Sequence, residues 1–181
     1  MRALIKFRWR QVEHLMKNTG SNVVRVMMAE YRIMKTPARM MTMALGSCLG
    51  IVLYDGRAGV GALAHVMHPS WKKVKNNSNK GKFVDTAIEV MISEMSEAGG
   101  DPNRIAAKLF GGATMFDSRP NCRGVIQIGA LNIRAAREVL DSKGIPVVSE
   151  SVGGSRGRTI LFDLSDGSVL VRDITGKEKV M

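Results

Sequence analysis

The chain has 181 residues, 45% hydrophobic and 24% charged, with a formal net charge of +11 at pH 7. That length suits one domain with its own core, and that composition excludes a disordered or collagen-like chain. Its two cysteines, Cys48 and Cys122, make neither a disulfide framework nor a C-x-x-C metal site, and no run approaches the ~20 apolar residues of a membrane span, so a cytoplasmic protein without membrane insertion is expected.

In chain order, residues 1–21 read as an N-terminal extension, basic but too interrupted by charge to be a signal peptide, and residues 22–181 as the domain. "NVVRVMMAEYRIMK" (22–35) is β-rich, and Pro37 interrupts it. Two short apolar runs follow, "GIVLYD" and "GVGALAHVM", joined by a turn of Asp-Gly character. "FVDTAIEVMISEMSEA" carries Val84, Ile88, Met91, Met95 and Ala98 at helical spacing, and Gly99-Gly100 stops it. "RIAAKLFGG" reads as a buried strand. "LNIRAAREVLDSKG" reads as a second amphipathic helix, with Leu131, Ala135 and Val139 inward and Gly144 just past its end. "IPVVSE", "RTILFDL" and "GSVLVRD" read as three closing strands, the last two joined across Ser165-Asp166-Gly167. Hairpins outnumber strand–helix–strand units, so the class is α+β, mixed or antiparallel sheets with two main helices.

Chemistry concentrates in one stretch. "MALGSCLGIVLYDGRAGVGALAHVMHPS" (43–70) holds one of the two cysteines and two of the three histidines. If Gly56 and Arg57 form a two-residue hairpin loop, Asp55 pairs with Ala58 and Cys48 falls directly opposite His65. With Asp55-Gly56 as the loop, His65 sits diagonal to Cys48 on the same face. An imidazolium beside a thiol lowers the thiol pKa and yields a nucleophilic thiolate near neutral pH. Gly46 and Ser47 suggest a tight bend whose N–H groups face a developing oxyanion. A buried structural cysteine and a structural histidine are the bland alternative. A metal set of Cys48, His65 and His68 lacks a carboxylate nearby in sequence, and neither metal nor cofactor is called for. Cys122, with no histidine near it in sequence, is read as incidental.

The positive charge suits an acidic partner. Aromatics are only 5%, however, and the one dense basic run, "WKKVKNNSNKGK" (71–82), reads as a solvated loop without stacking platforms, so nucleic acid is not the expected partner.

"LGSCLG", "GALAHVMHPS", "GKFVDTAIEVM", "KLFGGATMF", "IGALNIRAAREVLDSKGIPVVSESVGG" and "GRTILFDLSDGSVLVR" together resemble the CheD family, the chemoreceptor glutamine deamidases of bacterial chemotaxis, from about residue 24 to 173. The resemblance implies an α+β fold akin to cysteine hydrolases, including deamidating toxins. It implies conversion of glutamine side chains of methyl-accepting chemotaxis proteins to glutamate, in some members with glutamyl methylesterase activity. It implies a catalytic Cys, His and Thr, which carry over to Cys48, His65 and Thr42. A CheC-type phosphatase is an implied partner, and a docking module for it is the competing, non-enzymatic reading. A monomer is expected. Gly111 and Gly112, in "GGATMF", belong to the implied surround of the site. Ala44 stands where the family frequently has Gly, His68 where it commonly has Leu, and Ser151 where an acidic residue is usual.

Overall fold

A computed structural model describes residues 23–72, 78–114 and 127–181, so the extension at 1–21, Cys122 and the Met115-Phe116 end of "GGATMF" lie outside the described residues. Among the described residues, ten strands form two five-stranded sheets. The first sheet runs β1 (Val23–Arg25), β3 (Arg39–Leu45), β8 (Arg158–Asp163), β9 (Val169–Asp173), β10 (Glu178–Val180). The second runs β2 (Tyr31–Lys35), β5 (Val60–Val66), β4 (Leu49–Asp55), β6 (Ala106–Gly111), β7 (Val147–Val152). Two helices, α1 (Val84–Glu97) and α2 (Ile128–Ser142), cover the outer face of the second sheet. The α+β class read from the sequence holds.

The second sheet is the middle layer. Leu49, Ile51, Leu53, Val60, Ala62, Ala64 and Val66 pack against Ile88, Met91, Ile133 and Leu140 of the helices. Val52 and Leu63, on the other face, pack against Met40, Ile160 and Phe162 of the first sheet. A sheet buried on both faces needs apolar residues at every position, so "GIVLYD" and "GALAHV" read as continuous runs rather than alternating ones. Met40, Ile160, Phe162, Val169 and Val171 supply the first sheet's side of this layer, and Met41 and Leu161, paired on its opposite face, are buried as well.

Both helix ends follow from glycine. Gly99 at φ 92 and Gly144 at φ 68 occupy the left-handed position that only glycine takes without a penalty. Gly100 N–H then donates to Met95 O and Gly99 N–H to Ser96 O, while Ile145 N–H donates to Leu140 O and Gly144 N–H to Asp141 O. Helix α1 buries Val84, Ala87, Ile88, Met91 and Met95, on the face the spacing predicts.

Helix α2 departs from expectation. Its buried residues are Gly129, Asn132, Ile133, Ala136 and Leu140, and Leu131, Ala135 and Val139 are only partly buried. The inward stripe is turned by one residue, which brings a polar side chain to the centre of the face. The region 22–35 likewise splits into two strands of different sheets, and β3 and β10 are strands the sequence reading did not separate. Among the described residues no helix is long and apolar enough to cross a membrane.

Candidate active site

The β4–β5 turn has four residues, not two: Asp55 pairs with Val60, and Gly59 takes φ 63. The Asp55 carboxylate causes the longer turn. Its Oδ1 accepts from the N–H groups of Arg57 at 3.0 Å and Ala58 at 3.1 Å, an Asx-type capture that a Gly-Arg loop could not satisfy. The register therefore slides, and His65 lies opposite Gly50 rather than Cys48. Cys48, two residues before Gly50, remains on the same face, one diagonal step from His65.

Cys48 sits where the chain crosses from one sheet to the other. The β3–β8 ladder runs in register to Thr42↔Ile160, then slips to Leu45↔Arg158. This bulge holds Ala44 at φ 59, where an L side chain is strained. Beyond it, three successive carbonyls are anchored. Gly46 O accepts from Ala113 N–H at 2.7 Å, Ser47 O from Asn132 Nδ2 at 3.1 Å, and Cys48 O from Gly112 N–H at 2.8 Å. In a trans peptide the C=O and the next N–H point oppositely, so the N–H groups of Ser47 and Cys48 point away from these anchors. That is the disposition expected of oxyanion donors.

Gly111 and Gly112 hold this loop from behind. A Cβ at Gly111, whose φ is 102, would stand 2.4 Å from Cys48 O. A Cβ at Gly112, whose φ is 65, would stand 2.6 Å from Ile133 Cδ1. The glycine pair thus permits backbone contact with the Cys48 loop on one side and with α2 on the other.

His65 and Thr42 come from different sheets and meet between them. Thr42 Oγ1 lies 2.7 Å from His65 Nδ1, and both residues are buried. His65 Nε2 is buried with no hydrogen-bond partner. A buried imidazole with one nitrogen held and the other unmatched is incomplete as a purely structural element. Burial pushes the His65 pKa down to about 4. Burial also pushes the Cys48 thiol above its ordinary value. Both shifts run against ionisation, the imidazole's downward and the thiol's upward, so burial disfavours a thiolate–imidazolium pair in the closed site.

Beside this centre, an open groove of about 560 Å³ is lined by Ser151, Gly153, Gly154, Arg156 and Arg158. Gly153 N–H donates to Gly111 O at 2.8 Å, which ties the groove to the Cys48 loop. Arg158 donates to the carbonyl and hydroxyl of Ser151 and to Gly153 O, so its half-buried guanidinium is held by neutral acceptors.

Thr42, Cys48, His65, Gly46, Ser47, Gly111 and Gly112 thus gather at one inter-sheet edge. His68 does not join them: it bridges to Phe83, with ring centroids 5.9 Å apart. Among the described residues no group of three His, Cys, Asp or Glu side chains is placed to hold a metal ion. Lys73 and Lys75 of the basic run lie outside the described residues. Asn132 is the residue of this cluster that sequence reasoning missed. Its signal was a polar residue at helical spacing from Gly129, Ala136 and Leu140.

A model described as CheD chemotactic sensory transduction matches residues 67–173. A probable chemoreceptor glutamine deamidase of Caldanaerobacter subterraneus subsp. tengcongensis is 48% identical over 85% of this chain and 94% of its own length. A protein of the same name from Desulforamulus reducens is 41% identical, covering 90% of this chain and 97% of its own. The chain belongs to the CheD family. The matched model begins two residues after His65, so Thr42, Cys48 and His65 stand on the geometry above. A solved structure of a Neisseria meningitidis protein of the DUF152 family shares the fold, with a TM-score of 0.51 over 85% of this chain and 80% of that one at 11% identity.

Proposed function

We propose that this CheD-family protein is a glutamine deamidase of chemoreceptors, working through Cys48, His65 and Thr42. The observation that carries the reading is the Thr42–His65 bond across the two sheets, which leaves Nε2 unpartnered on the face shared with Cys48. The relatives' name supplies the substrate class, a glutamine of a chemoreceptor.

The neutral pair sets the order of events. The reading takes the tautomer in which His65 Nδ1–H donates to Thr42 Oγ1, leaving a lone pair on Nε2 to act as base. A glutamine carboxamide enters beside Cys48. The S–C bond forms as Nε2 takes the thiol proton, because a raised thiol pKa and a lowered imidazole pKa make prior ionisation costly. The carboxamide oxygen becomes an oxyanion and accepts from the outward N–H groups of Ser47 and Cys48. Nε2–H then protonates the leaving nitrogen, the C–N bond breaks, and ammonia departs from a thioester. Water attacks the thioester carbon while Nε2 takes its proton. The tetrahedral species expels sulfur, which recovers that proton, and leaves the glutamate side chain. A glutamyl methyl ester would follow the same path, with methanol leaving in place of ammonia.

The test is mass spectrometry of a chemoreceptor cytoplasmic domain co-expressed with the wild-type protein or with Cys48→Ala. The reading requires amide-to-acid conversion at specific glutamines with wild type and none with the variant. Cys122→Ser should convert as wild type does.

A further inference from the structure

Asn132 is fully buried on α2, and its amide nitrogen makes two hydrogen bonds at 3.1 Å, one to Ser47 O and one to Met67 O. The two carbonyls it joins are not equivalent by chance. The β4–β5 ladder ends at Leu49↔Val66, and continuing that register makes Cys48 and Met67 the next opposed residues. Neither lies within its strand. Beyond the last ladder pair the two chains turn to different partners, Cys48 O accepting from Gly112 N–H and Met67 N–H donating to Lys82 O, and it is there that one side chain joins both. Ser47 immediately precedes the nucleophile. Met67 follows His65 by two residues. Two carbonyl acceptors require an N–H₂ group between them, so the amide orientation is fixed by the network. The cost is visible on the other atom, since Oδ1 is buried with no partner. A polar group held in that condition inside an apolar helix face is destabilising by itself, and a leucine there would avoid the loss.

We propose that Asn132 is a positioning residue that fixes the spacing of Cys48 and His65 by holding the Ser47 and Met67 carbonyls together. The proposal rests on the deamidase reading for its kinetic consequence, but not for its geometric one. The tether adds a clamp from the helix layer beyond the last ladder pair, so the thiol and the imidazole stay one diagonal step apart although Cys48 stands beyond the end of its strand. The helix that carries the clamp is the one whose buried stripe is turned by a residue to admit it.

Two variants and two readouts test this. Asn132→Leu keeps the branched shape in a bulkier side chain and removes both the tether and the unmatched oxygen, and Asn132→Ala removes the tether with a smaller side chain. Each should melt cooperatively near the wild-type temperature. On a receptor fragment kcat should fall roughly 10- to 100-fold with KM little changed, the scale of a misplaced reacting group. The second readout needs no glutamine substrate: the rate at which iodoacetamide alkylates Cys48 at neutral pH, in wild type, His65→Ala, Asn132→Leu and the double variant. If Asn132 acts through the Cys48–His65 spacing, removing His65 in the Asn132→Leu background should slow alkylation much less than it does in wild type. Full additivity of the two substitutions would overturn the proposal, as would wild-type kcat in Asn132→Leu, or loss of cooperative melting in both variants. Should wild type itself fail to deamidate, the alkylation cycle still decides the positioning role while the deamidase reading falls.

Discussion

The two ends of the β4–β5 hairpin bury a titratable side chain under opposite conditions. At the turn, Asp55 is fully buried, and burial alone would raise its pKa. Hydrogen bonds from Arg104, from Asp101 N–H and from Ala58 N–H outweigh that and hold it down at about 2. Arg104 reaches it with Nη2 at 2.8 Å. At the open end, His65 is equally sequestered but has one partner for two nitrogens, and burial goes unanswered. A buried group with every position matched fixes the fold, whereas one left incomplete is available for chemistry. The same pair of strands does both because the turn end is closed by the second sheet's own loops and the other end opens on the seam between the sheets.

The contrast breaks most sharply at His65. His65→Gln should lower kcat by roughly 10²- to 10⁴-fold, the range for loss of a general base. It should leave the melting temperature at pH 7 nearly unchanged and reduce the loss of stability in acid. The unfolded chain protonates its histidine near 6.5, while the folded one resists until about 4. Stability from this site is therefore complete above 6.5 and falls by about 3 kcal/mol as pH drops toward 4. Melting curves at pH 7 and pH 4.5 for both proteins would read the difference.

Asp55→Ala should do the reverse. Removing one partner of a buried, hydrogen-bonded ion pair costs about 3–5 kcal/mol, measured by denaturant unfolding, while kcat per folded molecule stays near wild type. If activity falls as far as stability does, the two ends are not separable. Thr42→Val sharpens the comparison by removing the one partner His65 has. We expect a roughly tenfold loss in kcat and about 1 kcal/mol of stability, since the neutral imidazole loses its tautomer control but keeps its packing. The smallest effect belongs to Ala44→Gly. Relief of the left-handed strain at φ 59 should stabilise the protein by roughly 1 kcal/mol, read as a rise in melting temperature with activity retained.

Much of this was legible in the sequence, because local signals agreed with the global fold. Gly99 and Gly144 mark true helix ends, and the all-apolar runs at 50–55 and 60–66 are the doubly covered middle layer. Cys48 and His65 fall on one face for a two-residue and a four-residue turn alike, because lengthening the turn by two leaves the alternation of side chains unchanged. The register itself was not legible, since it turned on Asp55 capturing two turn amides while Arg104 and Asp101 N–H hold its carboxylate in place from another part of the chain. The direction of the two pKa shifts was not legible for a related reason. Residue spacing carries no dielectric, and only the packed sheets reveal that His65 is kept from charging. Asn132 was missed because a polar residue in an amphipathic helix is ordinarily assigned to water, and its partners are main-chain carbonyls that no side-chain pattern records.

The central claim is that a buried, neutral His65 serves as the base for Cys48. The pH dependence of kcat/KM on a chemoreceptor fragment tests it most directly, because this ratio reports the ionisations of the free enzyme. Activity should rise along an acid limb near pH 4, run flat through neutrality, and lose that limb in His65→Gln. An acid limb at the ordinary histidine value near 6.5, or activity that declines once His65 is fully deprotonated, would contradict it.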